Sequence, residues 1–586
     1  MSDQAVSLSF PAAPLAEPKR ASTSTKSFVW HAKLIGTITF ISRLLGMARE
    51  SIAANYFGAG AIWSAFTVAF TVPNLFRKLL GEGALSAAFI PLYAQAIKRE
   101  ETGDTSGEVT AKDFAVASVN LLCGILIALT IVGELVLFAL LFVHMRADYL
   151  LAVKLTIIML PYVLLICGTA FLGAILQVHH RFVAITATSI VSNLCLIIAI
   201  IIAARSFDLK SEAGQIAGVR WLSISVLVAG VIQIAMLLPS LYTVGFRFRL
   251  ILHLWTPAIR KMLWMTLPVA LGAGVMQISV VLDKGISFVL AEGEGRTTFS
   301  LFGHIIKYPM AEGAAARLNW AQFMYQFPLG VFAIALATAI FPKLSSDALP
   351  TSTAAQNAGA PAGSIDIPES FKSVLRHGVE ASLFIGLPAS VGMIVVRYPA
   401  IRFLFERGHF TYEDTKWVAL STAIYSAAIW AFSLQQILNR AYYALHDTMT
   451  PLIWGIVNLS INTIIELPLL WTGLRESGMA VGTLVSFAIQ AVLMLWMLDR
   501  RVGGMDLRRS LGSIAKMVLA SAAMWLACVA FQYTPLYPHG ERKIIWAIQL
   551  LELMTIGGAV YFGLCAMMGM NVLNDLLPRR KARRPV

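Results

Sequence analysis

The sequence predicts an all-α, polytopic membrane protein of about fourteen transmembrane helices, and three observations carry that prediction. Of 586 residues, 58% are hydrophobic and only 13% are charged, with a mean hydropathy of +0.72. That balance leaves too little polar surface for a water-soluble globule. Apolar runs of about 20 residues recur along nearly the whole chain, each long enough to cross a hydrocarbon layer about 30 Å thick. The net charge of +14 is spread over alternate loops between these runs, the pattern a bilayer imposes, so a nucleic-acid partner is not needed to explain it.

The runs lie near residues 33–57, 62–96, 113–143, 149–177, 182–204, 216–242, 262–291, 318–346, 373–396, 415–443, 449–473, 477–498, 510–532 and 544–570. Before them, SDQAVSLSFPAAPLAEPKRASTSTK lacks the apolar core of a cleavable signal peptide, so the first span is expected to serve as the insertion signal. After the eighth, LPTSTAAQNAGAPAGSIDIPES at 349–370 reads as a polar linker. With a cytoplasmic N-terminus, about 25 Lys and Arg fall inside against about 13 outside, which implies an even number of spans and two cytoplasmic termini.

An internal resemblance organises the spans. GALSAAFIP at 83–91 matches IALATAIFP at 334–342, each closed by a proline and preceded by another, Pro73 and Pro328. Two blocks of six spans followed by a pair result, a plan in which duplicated bundles hold a site between them. The expected divisions are a tail at 1–28, an N-terminal lobe at 29–245, a C-terminal lobe at 246–500 with its polar loop at 348–370, a helix pair at 501–572 and a basic tail at 573–586.

Chemistry in the chain is confined to buried charge. Cys123, Cys167, Cys195, Cys528 and Cys565 all fall in apolar spans without CxxC spacing and read as small hydrophobes. No Walker loop, HExxH, nucleophile elbow or His/Cys ligand cluster occurs, so no enzyme class is indicated. The first span, by contrast, carries SRLLGMARE. Arg43 and Glu50 are seven residues apart and share a helix face, with Arg49 rotated by about 120°. The second carries PNLFRKLLGEG, where Lys78 and Glu82 are spaced to pair, Arg77 is left over, and Asn74 adds a polar group. Facing lipid, these charges would cost on the order of 10 kcal/mol, so they must face water or each other. Arg43, Arg49, Arg77 and Lys78 outnumber Glu50 and Glu82. The excess asks for an anion, and the planar guanidinium suits phosphate.

SRLLGMARESIAANYFGAG, AFTVAFTVPNLFRKLLGEGALSAAFIP, LPYVLLICGTAFLGAILQVHHRF, YQFPLGVFAIALATAIFP, LFERGHFTYEDT and AYYALHDTMTP, in that order, resemble the MurJ (MviN) lipid II flippases of the multidrug/oligosaccharidyl-lipid/polysaccharide exporter superfamily. The resemblance runs over essentially the whole chain after its tail. It implies two six-helix lobes forming a V around a cationic cavity, and a last helix pair that grooves the lipid tail. The implied cargo is lipid II, the undecaprenyl-pyrophosphate-linked disaccharide peptide, moved to the outer leaflet of the bacterial cytoplasmic membrane by alternating access. A peptidoglycan synthase or divisome protein is an expected partner class. Carried over position by position, the substrate-binding residues are Arg43, Arg49, Arg77 and Glu82, with Glu50, Asn74, Lys78, Arg317 and Gln326 as further candidates.

Two positions depart from the family pattern. Ser64 stands where an acid is usual, and Phe323 stands where the eighth span usually carries an arginine. Arg317, Gln326 and Lys307 are the replacements the sequence offers. Asp283, Asn458, Asn462 and Thr483 are oxygen-bearing residues at positions similar to those where some relatives hold sodium, a set that equally suits ordinary interhelical hydrogen bonding; with no ATP motif and no cofactor, the energy is expected from the membrane potential, an ion gradient such as sodium or consumption of the cargo. Lone acids such as Glu466 read as ordinary interhelical hydrogen bonding. Two other readings follow from the same features: an exporter of a different polyprenyl-pyrophosphate oligosaccharide, and a transport-inactive scaffold of the cell-wall machinery, motivated by Ser64 and Phe323.

Overall fold

A computed structural model describes residues 25–81, 84–103, 110–250, 255–293, 295–330, 334–347 and 367–570. The first lobe begins with α1 (Thr25–Phe57) and α2 (Ala61–Phe76), which runs into a π-helical turn at Arg77–Gly81 and then α3 (Ala84–Glu101). It continues with α4 (Ala111–Leu140), α5 (Ala147–Met159), α6 (Tyr162–Val178), α7 (Phe182–Ser206) and α8 (Glu212–Thr243). Starts are set by local chemistry: the Thr110 and Ser211 side chains accept from the backbone N–H of Asp113 and Gly214, capping α4 and α8. Between α5 and α6 the chain bends by 45° at Pro161, which cannot donate a helical hydrogen bond.

The second lobe comprises α9 (Pro257–Val289), α10 (Ala314–Pro328), α11 (Ile334–Asp347), α12 (Glu369–Leu404), α13 (Tyr412–Ala427), α14 (Ile429–Ala444), α15 (Met449–Leu470) and α16 (Ser477–Arg501). A small antiparallel hairpin of β1 (Thr298–Leu301) and β2 (His304–Lys307), with Thr298 opposite Lys307, fills the loop between α9 and α10. Thr411 and Asp414 form a reciprocal capping box at the start of α13. The last pair, α17 (Leu507–Gln532) and α18 (Lys543–Met567), packs together and against α12, where the Tyr561 hydroxyl donates to the Phe384 carbonyl at 2.8 Å.

The repeat seen in the sequence has a structural counterpart. Both α3 and α11 follow a π-wound stretch just beyond a proline, Pro73 with Arg77–Gly81 and Pro328 with residues 329–330. These interruptions also alter the span count. By length and apolarity alone, eight described helices qualify as membrane spans, or ten if the bent pairs α5–α6 and α13–α14 each count once, against the fourteen expected. Helices do run through the other expected segments, but α2 and α10 are only 16 and 15 residues long because each is cut short at its π turn. Ile131, Val132, Leu135 and Val136 of α4 are each more than half exposed, a stripe that needs hydrocarbon rather than water around it. The polar linker at 349–370 falls almost wholly outside the described residues.

Candidate functional site

A cavity of about 1020 Å³ lies between the lobes, at the upper end of ligand-binding pockets. One wall comes from α1 and α2, with Arg43, Arg49, Glu50, Asn74 and Lys78. The facing wall is rich in neutral amides, among them Gln322, Gln326, Gln435, Gln436, Asn439 and Gln490, and includes the Phe323 ring and Lys284. A strongly cationic wall thus faces one that is mostly neutral and polar. The first suits phosphate, and the second suits the hydroxyl and amide groups of a sugar or peptide.

Arg49 is held in place rather than left loose. Its guanidinium donates to Asn193 Oδ1 at 3.1 Å and to Glu50 Oε1 at 2.5 Å, while Asn193 Nδ2 donates to the Ser42 carbonyl, tying α7 to α1. Glu50 also accepts from Trp320 Nε1 of α10 at 3.1 Å, so this carboxylate links the lobes. Arg43 reaches across as well: a Cβ placed on Gly330 would lie 2.3 Å from its guanidinium, so glycine makes room for it there.

The end of the cavity beyond Glu50 is shut by backbone. His409 N donates to the Asn55 carbonyl at 3.0 Å, and Ser51 is hydrogen-bonded to both the Leu404 carbonyl and Arg407. Gly58, Gly313 and Gly408 all have positive φ, and each brings its Cα against the other lobe. A Cβ would lie 2.5 Å from the His409 carbonyl oxygen at Gly58, 2.2 Å from the Asn55 oxygen at Gly408 and 1.6 Å from the Ala59 oxygen at Gly313. Under this clasp the Trp63 ring stacks on Phe57 at 5.0 Å and on Trp320 at 6.4 Å, with Phe410 edge-on to Trp320 at 5.1 Å.

Ser64 belongs to the same closure. Its buried hydroxyl accepts from Ala316 N at 3.2 Å, capping the start of α10 from the other lobe. A neutral acceptor does there what an acid would do, without burying a charge.

Several expected site residues lie elsewhere. Arg77 is not among the residues lining the cavity. It opens the π turn and sits within electrostatic reach of Tyr162 in α6, and the helix phase presents its neighbour Lys78 instead. Arg317 is likewise absent from the lining: its buried guanidinium binds Glu476 at 2.6 Å and Asp414 at 3.5 Å, so it braces the lobe internally. Lys307 is on the exposed hairpin, where its carbonyl accepts from Trp471. Glu82 lies outside the described residues.

Asp283, Asn458, Asn462 and Thr483 all line the cavity, and Glu466 is hydrogen-bonded to Asn462. Asn462 Nδ2 donates to Asp283 Oδ1 at 3.3 Å and to Glu466 Oε2 at 3.0 Å, leaving Asn462 Oδ1 and Glu466 Oε1 buried without a hydrogen-bond partner. Glu466 follows Asn462 by four residues on α15, so helical spacing alone could have placed it in this group. Among the described residues no group of three His, Cys, Asp or Glu side chains is placed to hold a metal ion.

Residues 53–541 match the family model for the lipid II flippase MurJ. The chain belongs to this family. A probable lipid II flippase MurJ of Rhizobium tropici is 30% identical over 94% of this chain and 96% of its own length, and one of Rickettsia prowazekii is 27% identical over 90% and 96%. A solved lipid II flippase MurJ in an inward closed conformation shares the fold, with a TM-score of 0.70 and 22% identity over 92% of this chain and 99% of that one. A multidrug resistance MATE family transporter in an inward-facing conformation shares the fold, with a TM-score of 0.58 and 15% identity over 80% of this chain and 98% of that one. The MurJ family is one of transporters rather than enzymes.

Proposed function

We propose that this protein carries lipid II from the inner to the outer leaflet of the bacterial cytoplasmic membrane by alternating access, binding its pyrophosphate in the central cavity. The observation that carries this reading is the cationic wall of Arg43, Arg49 and Lys78 in a cavity closed at one end by contacts between the lobes. The basic residues of alternate loops support an orientation with both termini in the cytoplasm, which puts the clasp on the outer side. In this account cargo enters from the inner leaflet, the cavity closes behind it, and release follows separation of the clasp. The scaffold reading loses one of its motives, since Ser64 has a definite place in the closed gate.

Expression in a bacterial strain depleted of its own lipid II flippase tests the proposal. Growth is expected to be restored. Stable protein without rescue would overturn it.

For energy, the group around Asn462 supplies hard oxygen donors, and the two partnerless oxygens on Asn462 and Glu466 fit a bound cation. Asp283, Asn462 and Glu466, with Thr483 beside them, would hold sodium and so tie the position of α9 to that of α15. Rescue by the wild type should then weaken at low external sodium, and Glu466→Gln should lower rescue and remove the remaining sodium dependence. Sodium dependence unchanged by that variant would contradict the assignment.

A further inference from the structure

The cavity-lining residues of the first lobe include three cations, whereas the second lobe lacks a cation where Phe323 stands. Lys284, on α9, also lines the cavity. Its Nζ donates to Asn319 Oδ1 at 2.9 Å, and Asn319 precedes Phe323 by one helical turn on α10. The Asn319 contact therefore holds an ammonium about one turn from the Phe323 ring, and it uses one of the three N–H donors of that group. Among the described residues no carboxylate lies within 4 Å of Nζ: Asp283, next in sequence, is turned to Asn462. The charged groups within electrostatic reach of Lys284 are Lys78 and Glu50, both on the other lobe, so it looks across the cavity.

We propose that Lys284 is a binding residue for the cargo's pyrophosphate, the cation through which the second lobe grips a phosphate group whose other contacts are Arg43, Arg49 and Lys78. The proposal rests on the lipid II reading and deepens it. The role needs a cation, and a lysine suits it. Its compact charge on a flexible stem is held by one neutral amide and can follow the phosphate as the lobes move, whereas a planar fork fixes one geometry. With Lys284 included, the lining has four cations against Glu50 and Asp283, and Asp283 is turned away into the Asn462 group.

The test compares purified wild type, Lys284→Gln and Lys284→Arg for binding of three probes: undecaprenyl pyrophosphate, undecaprenyl phosphate and uncharged undecaprenol. Lys284→Gln is expected to weaken undecaprenyl pyrophosphate about tenfold, the monophosphate less and undecaprenol not at all, with Lys284→Arg recovering most of the loss. Equal loss for undecaprenol, or no loss for the pyrophosphate, would overturn the assignment. The wild-type protein offers a reading that needs no variant. Undecaprenyl pyrophosphate should shield Lys284 from an amine-acylating reagent detected by mass spectrometry, and undecaprenol should not. Labelling of Lys284 unchanged in protein that binds the pyrophosphate lipid would also overturn it, whereas a wild type that binds no pyrophosphate lipid would instead sink the lipid II reading.

Discussion

Arg49→Ala is expected to abolish rescue of a flippase-depleted strain while the protein remains in the membrane, and Arg49→Lys to restore part of it. Two losses combine in the alanine variant. One is the charge-assisted contact to phosphate, worth about 1.5–3 kcal/mol, or roughly ten- to a hundredfold in grip. The other follows from the ion pair at 2.5 Å, because removing Arg49 leaves Glu50 buried at the lobe junction without its cation. Because Arg49 is partly exposed to the cavity, breaking this pair costs less than the about 3–5 kcal/mol of a fully buried one. Glu50 also accepts from Trp320, so the outer closure is weakened as well. Growth complementation read beside protein level checks the prediction, and normal rescue by Arg49→Ala would remove the anion-site argument at its strongest point.

Gly313→Ala should hold the outer clasp apart. Gly313 has φ +87°, and its Cβ would fall 1.6 Å from the Ala59 carbonyl oxygen, a backbone atom that cannot swing aside. Left-handed strain and the forced separation together disfavour closure by roughly 3 kcal/mol, more than a hundredfold in the ratio of closed to open. In a cysteine-free background, Thr67→Cys places a thiol on the cavity wall beneath the clasp, where Thr67 is buried. A membrane-impermeant thiol reagent added from the outer face is expected to label it rapidly with Gly313→Ala and slowly without. Gly60→Ala, where a Cβ meets nothing within 4 Å, is the control and should leave labelling slow. Equal slow labelling in all three would show that the clasp does not govern access.

Legibility from sequence followed the range of the interactions involved. The helical segments, the duplication and the placement of Arg43, Arg49 and Lys78 on one cavity wall depend on local periodicity and on the cost of charge in hydrocarbon, both written in the linear chain. What was hidden depends on helix phase and on contacts between distant segments. The π turn at Arg77–Gly81 presents Lys78 to the cavity in place of Arg77. Arg317 has the sequence position of a replacement cation, but Glu476, 159 residues away, holds it inside the lobe. Lys284 adjoins Asp283 in the chain, and nothing in the linear sequence places it beside Asn319. Ser64 looked like a defect for the same reason: the backbone it caps lies 252 residues further along.

The central claim is that this cavity carries lipid II outward, and leaflet assignment of labelled lipid II tests it most directly. In cells depleted of their own flippase and expressing this chain, newly made lipid II should become accessible at the outer leaflet, and the Arg49→Ala variant should leave it confined to the inner one. Lipid II that stays at the inner leaflet with the wild-type chain present, or that reaches the outer leaflet equally well with Arg49→Ala, would contradict the account.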